Sequence, residues 1–179
     1  MLCLFTAFAM TGCDRPAKET YFDLQQVDAR WSNGILKATV HQKLALSSEA
    51  RKALQHGIPL TVQMEMVIRN TSEQTRVKTN LDYYEIRYLP LSDHYQLTLP
   101  VGGEIRTFPR LRHLLADLST IKVSFQTGVL PKGSYELMTR TRMDKRSIPP
   151  PMRLPTLFSS EWRHDSEWSA WPLEILPQA

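Results

Sequence analysis

The sequence predicts a mainly β protein: an antiparallel β-sandwich with two short α-helices, over 48–56 and 109–118. Three observations predict it. From Gly57 to Asn70, Leu60, Val62, Met64, Met66 and Ile68 share one parity and Thr61, Gln63, Glu65 and Arg69 the other, with Val67 the exception. Period two marks a strand with one dry and one wet face, and antiparallel sheets need cover on one side only. The same alternation recurs in stretches from Ile35 to Met143. Finally, 179 residues with 42% hydrophobic and 22% charged content suit one globular domain and are too apolar for disorder.

In chain order, Leu2 to Met10 is an uncharged apolar run. It is shorter than the about 20 residues of a membrane span and has the length of a secretory h-region. It ends in Met10-Thr11-Gly12-Cys13, and small residues directly before a Cys resemble the bacterial lipoprotein box. The expected organisation is a signal peptide over 1–12, a lipid on Cys13, a polar tether over 13–20 and a domain over 21–179. The missing basic n-region points to a start upstream of Met1, and a soluble exported protein cut nearby is the alternative. Cleavage removes Cys3 and leaves no thiol for a disulfide, so burial alone holds the core in a compartment that permits crosslinks. Asp14 after the Cys resembles the inner-membrane retention signal of enterobacterial lipoproteins. The expected location is the periplasmic side of the inner membrane, with the outer membrane and the soluble periplasm as alternatives.

Tyr21 to Trp31 changes parity between Phe22/Leu24 and Val27/Ala29/Trp31, which a bulge near Gln25-Gln26 reconciles. Asn33-Gly34 is a hairpin turn signal, and Ile35 to Leu46 returns with Leu36, Ala38, Val40, Leu44 and Leu46 on one face. Ser47 or Ser48 caps the first helix, Ala50, Ala53 and Leu54 form its apolar stripe, and Gly57 with Ile58 and Pro59 ends it. Val77 to Leu89 and His94 to Leu99 read as strands, and Pro100 to Arg106 as a loop. In the second helix Leu111, Leu114, Leu115 and Leu118 face the core. Ile121 to Phe125 and Tyr135 to Met143 alternate again. Leu130-Pro131-Lys132-Gly133-Ser134-Tyr135 resembles the Leu-x-x-Gly-x-Tyr entry into a late strand of immunoglobulin-like sandwiches, where the Tyr braces a corner. A Pro-rich link over 147–155 and a Trp-rich C-terminal hairpin complete the reading.

The net charge of +4 is mild and is explained by a solvated surface as well as by an anionic partner. Two groups are candidates for interaction. Arg140, Arg142, Lys145 and Arg146 are the densest basic cluster, read first as guards of an exposed strand edge, then as contacts for headgroups or an acidic partner. Arg110 and Arg112 at the start of the second helix, with Asp117 at its end, oppose the helix dipole; with Arg106 they point to an anion. Tyr83, Tyr84, Tyr88, Trp162, Trp168 and Trp171 are a candidate aromatic surface for lipid or glycan, with core packing the plainer reading. No metal spacing links His41, His56, His94, His113 and His164. His113 and Asp117 at i, i+4 read as a surface pair. No nucleophile motif, phosphate loop or short nucleic-acid signature is present. No catalytic residue, metal or cofactor is therefore expected, and no nucleic-acid partner. A hydrolase would require His164, Asp165 and a Ser hydroxyl in one pocket.

LSSEARKALQHGIPLTVQMEM, TFPRLRHLLADL, LPKGSYELMTRTRMD and PPPMRLPTLFSSEWRHDSEW, in this order, resemble the proteobacterial domain-of-unknown-function 4390 family (DUF4390). The resemblance implies an exported envelope protein, often encoded beside a membrane sensor kinase, and carries no activity. The function expected is a lipid-anchored, non-catalytic protein-interaction or adaptor domain linked to the periplasmic region of a sensor kinase. The alternative is a lipid- or glycan-binding module.

Overall fold

The computed structural model describes residues 21–150 and 159–175. The expected signal peptide, lipid-bearing Cys13 and tether, and residues 151–155 of the expected Pro-rich link, lie outside the described residues. Nine strands run β1 Phe22–Ser32, β2 Ile35–Leu44, β3 Leu60–Asn70, β4 Arg76–Leu89, β5 His94–Thr98, β6 Ile105–Phe108, β7 Thr120–Gln126, β8 Tyr135–Met143 and β9 Ser169–Ile175. The helices are α1 Ser48–Gln55 and α2 Leu111–Asp117. The strands form one sheet in the order β6-β5-β4-β3-β8-β9-β1-β2-β7, curled into a half-barrel. The mainly β architecture with two helices is the one expected. Two stacked sheets of immunoglobulin-like type are not what forms: β9 lies between β8 and β1 and joins both halves into one sheet. The curl then encloses the apolar faces that a second layer would otherwise cover. β1 with β9 is the parallel pair, Ala29 standing opposite Leu173; the remaining ladders are antiparallel.

Local chemistry explains most elements. The β1–β2 register shifts between Leu24 and Gln26, so Phe22 and Leu24 before the bulge and Val27, Ala29 and Trp31 after it are all buried. Asn33 and Gly34 take φ of 50° and 77°, the successive positive values that a tight primed turn requires. The Ser47 hydroxyl accepts the Ala50 N–H at 3.1 Å and caps α1. At the other end Gly57, at φ 83°, and Ile58 donate to the Leu54 and Ala53 carbonyls at 3.0 and 3.1 Å, a Schellman closure. The Tyr135 hydroxyl donates to the Pro131 carbonyl at 2.7 Å, so the corner brace is present although the sandwich is not.

Four expectations need correction. The second face of β3 is not wet: Thr61, Gln63 and Val67 are buried, because β3 is flanked by β4 and β8 and Arg142 reaches across to Gln63. β6 falls where a loop was expected, being short and mostly exposed and thus without apolar alternation. α2 starts at Leu111, not 109, and Arg110 is its extended N-cap residue; Leu114 and Leu118 are buried, Leu111 and Leu115 half-buried. The C-terminal Trp segment is no hairpin. Ser160–Trp162 is a 3-10 turn, Asp165 bridges Arg142, and β9 pairs with β8 and β1 rather than with a strand of its own segment.

Among the described residues the interior is mainly apolar, and a polar crossing runs through it. Gln42 of β2 accepts the Thr141 hydroxyl of β8 at 2.8 Å and donates to the Leu118 carbonyl at 2.9 Å. This buried amide links the two limbs of the half-barrel and the end of α2.

Candidate functional site

The alternation of β8 decides where its arginines go. Tyr135, Leu137, Thr139, Thr141 and Met143 are buried, so Arg140 and Arg142 stand on the outer face. Directly after the strand the Asp144 carboxylate accepts the Arg146 N–H at 3.0 Å and starts the 3-10 turn Lys145–Ser147. The segment after Trp162 then runs back along β8. Met143 N–H donates to the His164 carbonyl and Ser166 N–H to the Thr141 carbonyl, both at 2.9 Å. Between strand, turn and returning segment lies a cleft of about 400 Å³. It gathers all four predicted basic residues, Arg140, Arg142, Lys145 and Arg146, and adds Arg163.

The edge-guard reading of this cluster does not hold, because β8 is interior, between β3 and β9, and the sheet edges are β6 and β7. Two carboxylates, Asp144 and Asp165, face the five cations. Arg140 grips Asp165 with two donors, Nε to Oδ1 at 2.8 Å and Nη2 to Oδ2, and lies 5.9 Å from the centroid of the Trp168 ring. Burial pushes the Asp165 carboxyl up, but the bonds from Arg140 and the Glu167 N–H outweigh it and hold it below the usual range. Arg146 pairs with Asp144 at 3.3 Å. Arg142 donates to the Gln63 amide oxygen at 3.2 Å. Burial, and then the neighbouring Arg163, lower the Lys145 pKa.

His164 lies in the wall of the cleft, 2% exposed. Its ring stacks on Tyr21 at 4.6 Å and meets the edge of Phe22 at 5.3 Å. Nε2 accepts the Ser47 N–H at 3.1 Å, which places the proton of the neutral ring on Nδ1, a buried atom that makes no hydrogen bond of ordinary geometry, the Trp162 backbone being its loosely placed acceptor. Burial is the chief cause that pushes its pKa down to about 4. Arg163 and the burial of His164 were missed in the sequence. The available signal was the run Trp162-Arg163-His164-Asp165, in which charges sit beside a large apolar anchor.

Other candidates lie apart from this cleft. Arg106 donates to Glu104 at 2.8 Å and to Asp117 at 3.1 Å, so the charge at the end of α2 that opposes the dipole is neutralised. Arg112 donates to His113 at 3.3 Å, and Arg110 is exposed. Arg106 also lines a second cavity of about 370 Å³ with Asp82 and Tyr84. Burial raises the pKa of Asp82, against a hydrogen bond from Asn80. The six aromatic candidates do not share a face. Tyr84 and Trp162 are buried, and Trp171 packs against the core, opposite Leu137. Tyr88 pairs with Tyr95 at 5.1 Å, while Tyr83 stands outward.

Among the described residues no three His, Cys, Asp or Glu side chains gather in a metal-holding arrangement. Glu161 accepts from Tyr21 and Ser48 and Asp165 from Arg140, so these carboxylates serve separate partners. His164 and Asp165 share the cleft, but the imidazole accepts a backbone N–H and the Ser166 hydroxyl donates to the Glu167 carbonyl. No helix among the described residues is long and apolar enough to cross a membrane.

The family model described as domain of unknown function DUF4390 matches residues 19–172. The chain belongs to the DUF4390 family. No curated protein and no solved structure matches it. The DUF4390 match takes in both walls of the cleft, β8 and the segment from Trp162 to Asp165.

Proposed function

We propose that this DUF4390 protein is a non-catalytic adaptor domain, held at the cell envelope by a lipid on Cys13, that acts by docking a protein partner on its outer sheet face. The observation that carries this is on β4. Leu81 and Tyr83 stand outward, 44% and 40% exposed, and Val77 of the same strand is 39% exposed. Across the ladder Leu81 is opposite Glu65, itself opposite Arg140; Tyr83 is opposite Gln63, itself opposite Arg142. An apolar strip flanked by arginines suits a protein surface, where apolar contact supplies affinity and charge supplies selectivity. The membrane-proximal periplasmic region of a sensor kinase is the partner that family membership favours.

A photo-crosslinker at Leu81, in membranes of the native host, is expected to trap a discrete protein partner that the same group at Lys122 does not. Failure to trap any protein under several growth conditions overturns the adaptor reading. Intact mass from the same host, starting at Cys13 with a diacylglyceryl or triacyl increment, tests the anchor separately.

A further inference from the structure

We propose that the cleft between the end of β8 and the segment from Trp162 to Asp165 seats the phosphate of an anionic membrane-lipid headgroup. This rests on the membrane anchor proposed at Cys13 but not on the protein-docking face of β4. Five cations meet two carboxylates there. Asp165 is taken by Arg140 and Asp144 by Arg146, which leaves Arg142, bonded to the Gln63 amide and in electrostatic reach of Asp165, and Arg163 outside the ion pairs of the described residues. Two guanidinium groups lining one cleft suit a phosphate, whose oxygens accept from several directions at once. Buried Trp162 and Met143 supply an apolar wall.

Position decides for a lipid over a free ion. Tyr21 stacks on His164 and its hydroxyl donates to Glu161 at 3.1 Å, so the start of β1 is fastened beside the cleft. Cys13 precedes Tyr21 by eight positions. Eight residues span at most about 28 Å when extended. A membrane that holds Cys13 therefore keeps its headgroups within reach of the cleft.

The test uses the mature chain from position 13 with Cys13→Ser, which lacks both the apolar leader and the acyl anchor, sedimented with phosphatidylcholine vesicles with and without phosphatidylglycerol. Retention is expected only with phosphatidylglycerol. Replacing Arg142 and Arg163 by Gln is expected to lower the partition by about fivefold per residue. Lys37→Gln with Lys122→Gln makes the same charge change on the exposed faces of β2 and β7 and is expected to leave the partition almost unaltered. Equal loss in both double variants, or retention that ignores phosphatidylglycerol, overturns the proposal. Binding of inorganic phosphate that is lost with Arg142→Gln and Arg163→Gln, without any preference for phosphatidylglycerol vesicles, assigns the cleft to a free anion and also overturns it. If melting shows that the Arg142 variant unfolds, the exposed Arg163→Gln alone decides, with its fivefold loss. The Leu81 crosslink is read on the acylated chain, so either reading can fail while the other stands.

Discussion

At the scale of single residues, His164 ties the cleft to the fold. Its Nε2 takes the N–H of Ser47, the residue that caps α1, and its ring lies on Tyr21 at the start of β1. The neutral form is required for that acceptor role. The folded pKa, pushed down by burial to about 4, lies below the ordinary value of 6.5. Between those values the unfolded chain binds more protons than the folded one, so stability is complete above the unfolded value and falls as pH drops toward the folded one. The Trp162 backbone and then Glu161 oppose this shift, and Lys145 reinforces it. The full effect is on the order of 3 kcal/mol. Urea midpoints measured from pH 7 down to 4 are expected to fall, and His164→Gln, which keeps an acceptor but does not titrate, is expected to flatten that slope. The sequence did not disclose this histidine, because its donor lies 117 positions away and no local period marks such a contact. The arginines around it were legible as a cluster, since they lie within seven positions on one strand and its following turn.

At the scale of elements, what was legible is what short-range chemistry specifies. The Asn33-Gly34 turn, the bulge before Gln26, the Ser47 cap and the Gly57 closure each depend on neighbours in sequence, and each stands where expected. The Trp-rich end was misread because its partners are remote: Thr139 meets Ser169 and Ala29 meets Leu173. The Tyr135 corner separates the two kinds of information. Its hydrogen bond to Pro131 spans four positions and was readable, whereas the sandwich it hinted at depends on strand order. Tyr135→Phe removes one hydroxyl donor and keeps the packed ring. It is expected to cost about 1 kcal/mol in chemical denaturation, with no change in the sheet by circular dichroism.

For the molecule as a whole, the alternation that revealed the strands states which side is dry but not which strand is adjacent, so a sandwich and a curled single sheet read alike. The buried Gln42 is a mark of the curl, since its amide joins β2 to β8 and to the end of α2. Gln42→Leu leaves the Thr141 hydroxyl and the Leu118 carbonyl without that partner in a dry interior. A loss of about 1–3 kcal/mol in the urea unfolding free energy is the expected result, and an unchanged midpoint would deny the crossing its structural role. The parallel seam of β1 with β9 has a further consequence for how the chain is made. The block of β3, β4, β5, β6 and β8 and the block of β1, β2 and β7 are joined in the sheet through β9, the last in chain order of the described strands. A polypeptide delivered front end first therefore carries two unsealed pieces until β9 has emerged, and that interval is when chaperones or proteases find the chain open.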